Sequence, residues 1–349
     1  MNTQLLENLV ATPGVPGREH RIRKLILEET QGLFDEVTVD PMGSIIGVKK
    51  PTRKADGETQ KIMLAAHMDQ IGFIVRFIDD KGFIRIQNVG GFDTRNLFAR
   101  LVTICPDPND PSKDLPGVMT PGCKPIHVAT DEEKNKIPKI EEFHIDTGLP
   151  ADEVKQRVKI GDMVVLQARC VEMGNNFVSQ CMDNRIACWI VIEALRELKD
   201  HACEIHCVFT VQEEVGLRGA LASSYTVHPN IGIAIDTTLA IDTPGIAEDL
   251  ATTKLGSGAG ITVLDASAIA DYDLVETFNS LAVERNIPHQ RSAMARGGTD
   301  SGGIQRTRGG VRTFTLSCPT RYIHTVTEMV SKTDMTACCD LLAAFLETA

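Results

Sequence analysis

Polar residues that end apolar runs are where this chain could do chemistry. His67 and Asp69 follow KIMLAA, Glu213 and Glu214 follow CVFTVQ, Asp236 follows IGIAI, and His324 follows RYI. Each run reads as a buried strand, and open α/β sheets bind ligands beyond the carboxyl ends of their strands. Asp183 stands just before a helical pattern, in an N-cap-like position that lets its carboxylate reach the same rim. His67, Asp183, Glu214, Asp236 and His324 together suit a pair of borderline divalent ions such as zinc, cobalt or manganese. An all-oxygen set would suggest calcium instead.

Two such ions, roughly 3.5–4 Å apart, hold a hydroxide, polarise a carbonyl and stabilise the developing oxyanion. A proton acceptor is still needed, and the doubled Glu213-Glu214 supplies one. Neighbouring carboxylates can aim one at a metal and the other at its water, which makes a general base. Asp69, two residues after His67 and on the same face of an extended chain, is expected to accept the other imidazole N–H and fix the ring. Competing chemistries lack their parts. There is no Gly-x-Ser-x-Gly elbow and no phosphate-binding loop. Glycoside hydrolysis by two facing carboxylates leaves His67 and His324 without a role.

The elements that must position these residues alternate. Arg18 to Thr30 has helical spacing after the turn TPGVPG. NRIACWIVIEALRELKD puts Ile186, Ile190, Ala194, Leu195 and Leu198 on one helical face. CEIHCVFTV, IGIAID and VRTFTLS read as strands, while DYDLVETFNSLAVERN and TDMTACCDLLAAFLET read as helices. The expected fold class is α/β, an α/β/α sandwich around a mostly parallel sheet. From Gly72 the texture becomes β-rich, with GFIVRFIDDKGFIRIQNVGG, LVTIC and GDMVVL between polar loops. This predicts an inserted small β-barrel-like domain over residues 72–167, with residues 1–71 and 168–349 forming the catalytic domain.

Composition narrows the function classes. A net charge of −11 repels phosphate backbones, which argues against nucleic acid as a partner. No apolar stretch approaches a membrane span, and MNTQLLENLVATPG lacks a leader pattern, so a cytoplasmic protein is expected. Ten scattered cysteines form no Cys-x-x-Cys pair and read as reduced thiols. Cys203, His206 and Cys207 read as core-strand residues rather than metal ligands.

The segments AAHMDQIGF, CMDNR, TVQEEVGLRGA, AIDTT, GGTDSGG and RYIHTVTEM, in this order, closely resemble the co-catalytic metallo-aminopeptidase family of the glutamyl and tetrahedral (TET) aminopeptidases. The resemblance spans nearly the whole chain. It implies a metal-dependent aminopeptidase that hydrolyses the N-terminal bond of peptides. By resemblance Asp183 bridges two metal ions, His67 and Asp236 complete one site, Glu214 and His324 complete the other, and Glu213 is the general base. Gly298, Thr299 and Asp300 match a loop lining the substrate region, and residues 72–167 match an oligomerisation domain. The family also implies a homo-oligomer, a dodecameric tetrahedron. Two positions depart from the pattern: Asn184 stands where many relatives have a second acid, and Thr325 where serine is common. Alternative readings are a related amide hydrolase and an inactive peptide-binding or scaffold homologue. The preferred N-terminal residue and the native metal stay open.

Overall fold

Strand Lys61–His67 is buried along nearly its whole length because helices cover both of its faces. Ile62, Leu64 and Ala66 enter one hydrophobic cluster, while Met63 and Ala65 enter another. That is the two-residue alternation of an extended chain inside a three-layer sandwich. The computed structural model describes residues 1–349, apart from the side chain of Glu248.

The central sheet has 11 strands. Its order is Glu36–Val39, Ile45–Lys49, Glu204–Thr210, Lys61–His67, Ile231–Leu239, Arg312–Arg321, Glu328–Ser331, Asn176–Ser179 and Val171–Met173. Ala259–Leu264 and His289–Ala293 branch from Arg312–Arg321. The middle of the sheet, from Glu204–Thr210 to Arg312–Arg321, is parallel, as expected. Antiparallel strands flank it on both sides.

Helices Met182–Glu197, Tyr272–Glu284 and Lys332–Thr348 pack on one face, and Arg218–Val227 and Asp300–Gln305 on the other. Phe314 of the sheet stacks on Phe278, which stacks on Phe345, with ring centroids 4.2 and 4.5 Å apart. A helix not foreseen from the sequence, Thr3–Ala11, starts at Asn2, whose side chain accepts the Leu5 N–H at 3.1 Å. It buries Leu5, Leu6 and Leu9 against Met182–Glu197, each contributing about 1.5–3 kcal/mol.

The β-rich segment closes into an antiparallel barrel in the order Gly72–Ile78, Ile84–Val89, Phe143–Asp146, Leu115–Pro121, Arg100–Cys105, Met163–Leu166. Phe73, Ile84, Val102, Met119, Phe143 and Val164 fill its interior, so the barrel has a packed core. One of the polar loops between its strands, DEEKNK, contains a one-turn helix, Asp131–Lys134, because Thr130 and Glu133 form a capping box there.

Candidate metal centre

The sheet splits where the chemistry gathers. Ile231–Leu239 pairs with Lys61–His67 only as far as Ala234↔Ala65, then continues against Arg312–Arg321 to Leu239↔Thr320. From the apolar run alone this strand ends at Asp236. It runs on because the β-branched Thr237 and Thr238 keep pairing with Cys318 and Pro319. Asp236 therefore sits inside a strand, beside the opening left by its departed neighbour.

Other residues reach this opening from different elements. His67 is the last residue of its strand. Glu213 and Glu214 follow strand Glu204–Thr210 through Gln212, whose φ is +56°. Asp183 lies in a non-helical kink (φ −78°, ψ 104°) at the start of Met182–Glu197 and does not cap the helix. His324, at φ +65°, lies in the turn after Arg312–Arg321.

His67 Nε2 is 3.3 Å from Asp183 Oδ1, 3.7 Å from Glu213 Oε2 and 3.9 Å from Asp236 Oδ1. His324 Nε2 is 3.5 Å from Asp183 Oδ2 and 3.5 Å from Glu214 Oε2. Two triads result, His67–Asp183–Asp236 and Asp183–Glu214–His324, each with ligand atoms within 4.8 Å of one another. They share Asp183. This mixed nitrogen and oxygen donor set fits a divalent cation, and Glu214 Oε1 is buried with no hydrogen-bond partner, as a ligand atom would be.

The electrostatics say the same. Burial lifts Glu213 and Asp236 well above the usual carboxylate range and Glu214 to about 8, helped by the charges of neighbouring carboxylates. Burial opposes charge on His67 and His324, but the surrounding carboxylates outweigh it, lifting His324 to about 9 and His67 well above its ordinary value. Burial also opposes charge on Asp183, yet its contacts with His324 and His67 hold it well below the usual range. So much negative charge in so small a buried space calls for cations.

Asp69 acts through atoms other than those expected. His67 Nδ1 lies 3.1 Å from the Asp69 backbone oxygen and 3.6 Å from its carboxylate. That carboxylate instead accepts the backbone N–H groups of Glu213 (3.0 Å) and Glu214 (3.2 Å). Glu328, which the sequence reading passed over, plays the matching part on the other side. It accepts Asp183 N–H at 2.9 Å and His324 N–H at 2.7 Å, and burial raises its carboxyl to about 8. The spacing His324-x-x-x-Glu328 was the available signal.

A cleft of about 560 Å³ opens over the cluster, lined also by Leu239, Ser267, Met294, Arg296 and Gly298. Of the three residues of the GGTDSGG loop matched by resemblance, Gly298 is on the cleft wall. Thr299 and Asp300 are not: both are buried, with Thr299 Oγ1 bonded to Asp265 and Asp300 to Thr210. They turn inward because their side chains satisfy buried partners.

A three-layer sandwich with a barrel inserted after its first metal-ligand candidate, and an imidazole–carboxylate cluster at the split of its sheet, defines a metallopeptidase. The chain belongs to the M42 glutamyl aminopeptidase family, which its residues 43–341 match. It is 37% identical to a putative aminopeptidase of Acetivibrio thermocellus, over 97% of this chain and 96% of that one. Its fold superposes on aminopeptidase APDkam598 of Desulfurococcus kamchatkensis with a TM-score of 0.92 and 34% identity, covering 99% and 94% of the two chains. The TET1 peptidase of Pyrococcus horikoshii, which can assemble into a tetrahedron or a large octahedral shell, gives 0.85 and 28%, covering 99% of each. The protein is a hydrolase acting as an aminopeptidase. Among the described residues, no helix is long and apolar enough to cross a membrane.

Proposed function

We propose that the enzyme removes N-terminal residues from peptides with two divalent ions per subunit, one held by His67, Asp183 and Asp236 and the other by Asp183, Glu214 and His324. The observation that carries this reading is the pair of triads sharing Asp183. Bound there, the ions supply an activated water at neutral pH and a positive field for the oxyanion. Glu213 Oε2, 3.7 Å from His67 Nε2, takes the proton of the attacking water and delivers it to the leaving amine. Asp69 keeps Glu213 and Glu214 diverging from a fixed backbone, so the base is preorganised.

Residues 1–71 and 168–349 carry the chemistry in this reading, and residues 72–167 serve self-assembly. The tetrahedron that the P. horikoshii relative can form, with the dodecamer seen for the similar PhTET1-12s, supports a homo-oligomer, a tetrahedral dodecamer. All ten cysteines are free thiols, which supports a cytoplasmic setting. Zinc, cobalt and manganese all suit the donors. Arg296, a cation on the cleft wall with no ion-pair partner among the described residues, supports a preference for an acidic first residue.

The test is to strip the purified enzyme with chelator, measure metal content, and assay aminoacyl chromogenic substrates before and after restoring each metal. Activity should vanish and return with two equivalents per subunit. Full activity without metal overturns the reading. Asp183→Ala should lose both metal and turnover.

A further inference from the structure

The wall of the cleft that bears no candidate ligand is built from two chain segments, and one carboxylate fastens them. Asp265 is 6% exposed. Its Oδ1 accepts Ser267 N–H (2.6 Å), Ser267 Oγ–H (2.7 Å) and Ala268 N–H (2.8 Å), which folds residues 265–268 into a tight turn. Its Oδ2 accepts Thr299 Oγ1–H at 2.8 Å, reaching across to the second segment.

Further contacts lock the two segments together. Ala266 N–H donates to Gly297 O at 2.9 Å, and Thr299 N–H donates to Ser267 Oγ at 3.2 Å. Ser267 is wedged between Gly298 and Gly302. A Cβ on Gly298 would come within 2.8 Å of Ser267 Cβ, and one on Gly302 within 2.4 Å of Ser267 Oγ. The motif GGTDSGG thus reads as a socket: its glycines admit Ser267, and its threonine meets Asp265. Thr299 Oγ1 is tied further to Thr315 Oγ1 (2.9 Å), on the strand beneath.

Ser267, Met294, Arg296, Gly297 and Gly298 are the cleft-facing surface of this clasp. We propose that Asp265, acting through Thr299 and Ser267, is the positioning residue of the wall that receives the side chain of the substrate's first residue. This rests on the cleft being the peptide site. Asp265 touches none of the candidate ligands, so its loss should loosen substrate capture and leave the hydrolytic groups intact. A hydrogen bond that must hold for substrate to fit, but does not touch the reacting atoms, changes KM and spares kcat.

The experiment uses the full-length, metal-loaded enzyme and four variants: Asp265→Asn, Thr299→Val, which keeps shape and loses the hydroxyl, Thr299→Ser, which keeps the hydroxyl, and Gly298→Ala. Asp265→Asn, Thr299→Val and Gly298→Ala should raise KM about fivefold to tenfold, with kcat within about twofold and metal content unchanged. Thr299→Ser should keep the wild-type KM. Amide hydrogen exchange over residues 266–268 and 297–299 should quicken in Asp265→Asn and Thr299→Val alone. Unchanged KM in both of those variants, or a loss of kcat and metal with KM unmoved, overturns the proposal. Unchanged exchange does so too. An enzyme that binds peptide elsewhere would instead show faster exchange with unaltered KM, which removes the substrate role and leaves only a structural clasp.

Discussion

Asp69 accepts the backbone N–H of Glu213 at 3.0 Å on a carboxylate with no solvent exposure. Its other oxygen takes the next amide, so one side chain fixes the backbone from which two carboxylates project. Asp69→Asn would turn an amide N–H₂ against one of those N–H groups. The expected result is a fall in activity of about 10- to 100-fold, with far-UV circular dichroism unchanged, measured at saturating metal.

Glu213→Gln keeps the volume of the side chain and removes its ability to take a proton. Turnover should fall by roughly 10²- to 10⁴-fold, while metal analysis of the variant gives the wild-type content. Retained turnover would remove Glu213 as the base.

Glu328 holds the backbone of two residues from different parts of the chain, Asp183 and His324. Glu328→Gln should weaken metal affinity about 10- to 100-fold, as read by competition with a chromophoric chelator. Excess metal should restore most of the turnover, since no reacting group is lost.

Arg296 should distinguish substrates by charge. In Arg296→Ala, kcat/KM for glutamyl and aspartyl substrates should drop about tenfold, with alanyl and leucyl substrates nearly unchanged. A side-by-side panel of aminoacyl chromogenic substrates measures it.

Stability should depend on pH through Asp334, which is not one of the candidate ligands. Fully buried, it accepts Gly256 N–H at 2.7 Å and Gly258 N–H at 2.6 Å, and burial raises its carboxyl from 3.8 to about 6. The folded chain thus binds this proton more tightly than the unfolded one, and the group's contribution falls as pH rises from about 4 to about 6. The stability advantage of the wild type over Asp334→Asn should shrink across that window, as read from thermal midpoints at each pH.

The positions of His67, Glu213 and Glu214 were legible because apolar runs of strand length stop just before them. Asp236 was legible as a candidate ligand, but its strand was cut short, since only the long partner Arg312–Arg321 reveals that Thr237 and Thr238 still pair. Glu328 was hidden: a glutamate opening the short strand Glu328–Ser331 looks like a solvated edge until the fold brings Asp183 to it. Thr299 and Asp300 carried family resemblance but no pattern saying which way they face. Four barrel strands were visible as β-rich runs, but Leu115–Pro121 and Phe143–Asp146 lie among polar loop-like residues, and closure needed pairings such as Ile84↔Ile145, which join residues far apart in sequence.

Only Met68, Asp69, Gln70 and Ile71 join His67 to the barrel strand Gly72–Ile78. Three of these four are pinned: Met68 N–H to Thr210 O at 2.9 Å, the Asp69 carboxylate to the glutamate pair, and Gln70 N–H to Gly14 O at 2.9 Å. Buried Arg185 adds a fourth pin, donating to Gln70 Oε1 at 3.2 Å. The join is thus anchored to the sandwich, so a displacement of the barrel meets these hydrogen bonds before it reaches the imidazole. Substitutions on the outer surface of the barrel can therefore be absorbed without moving His67.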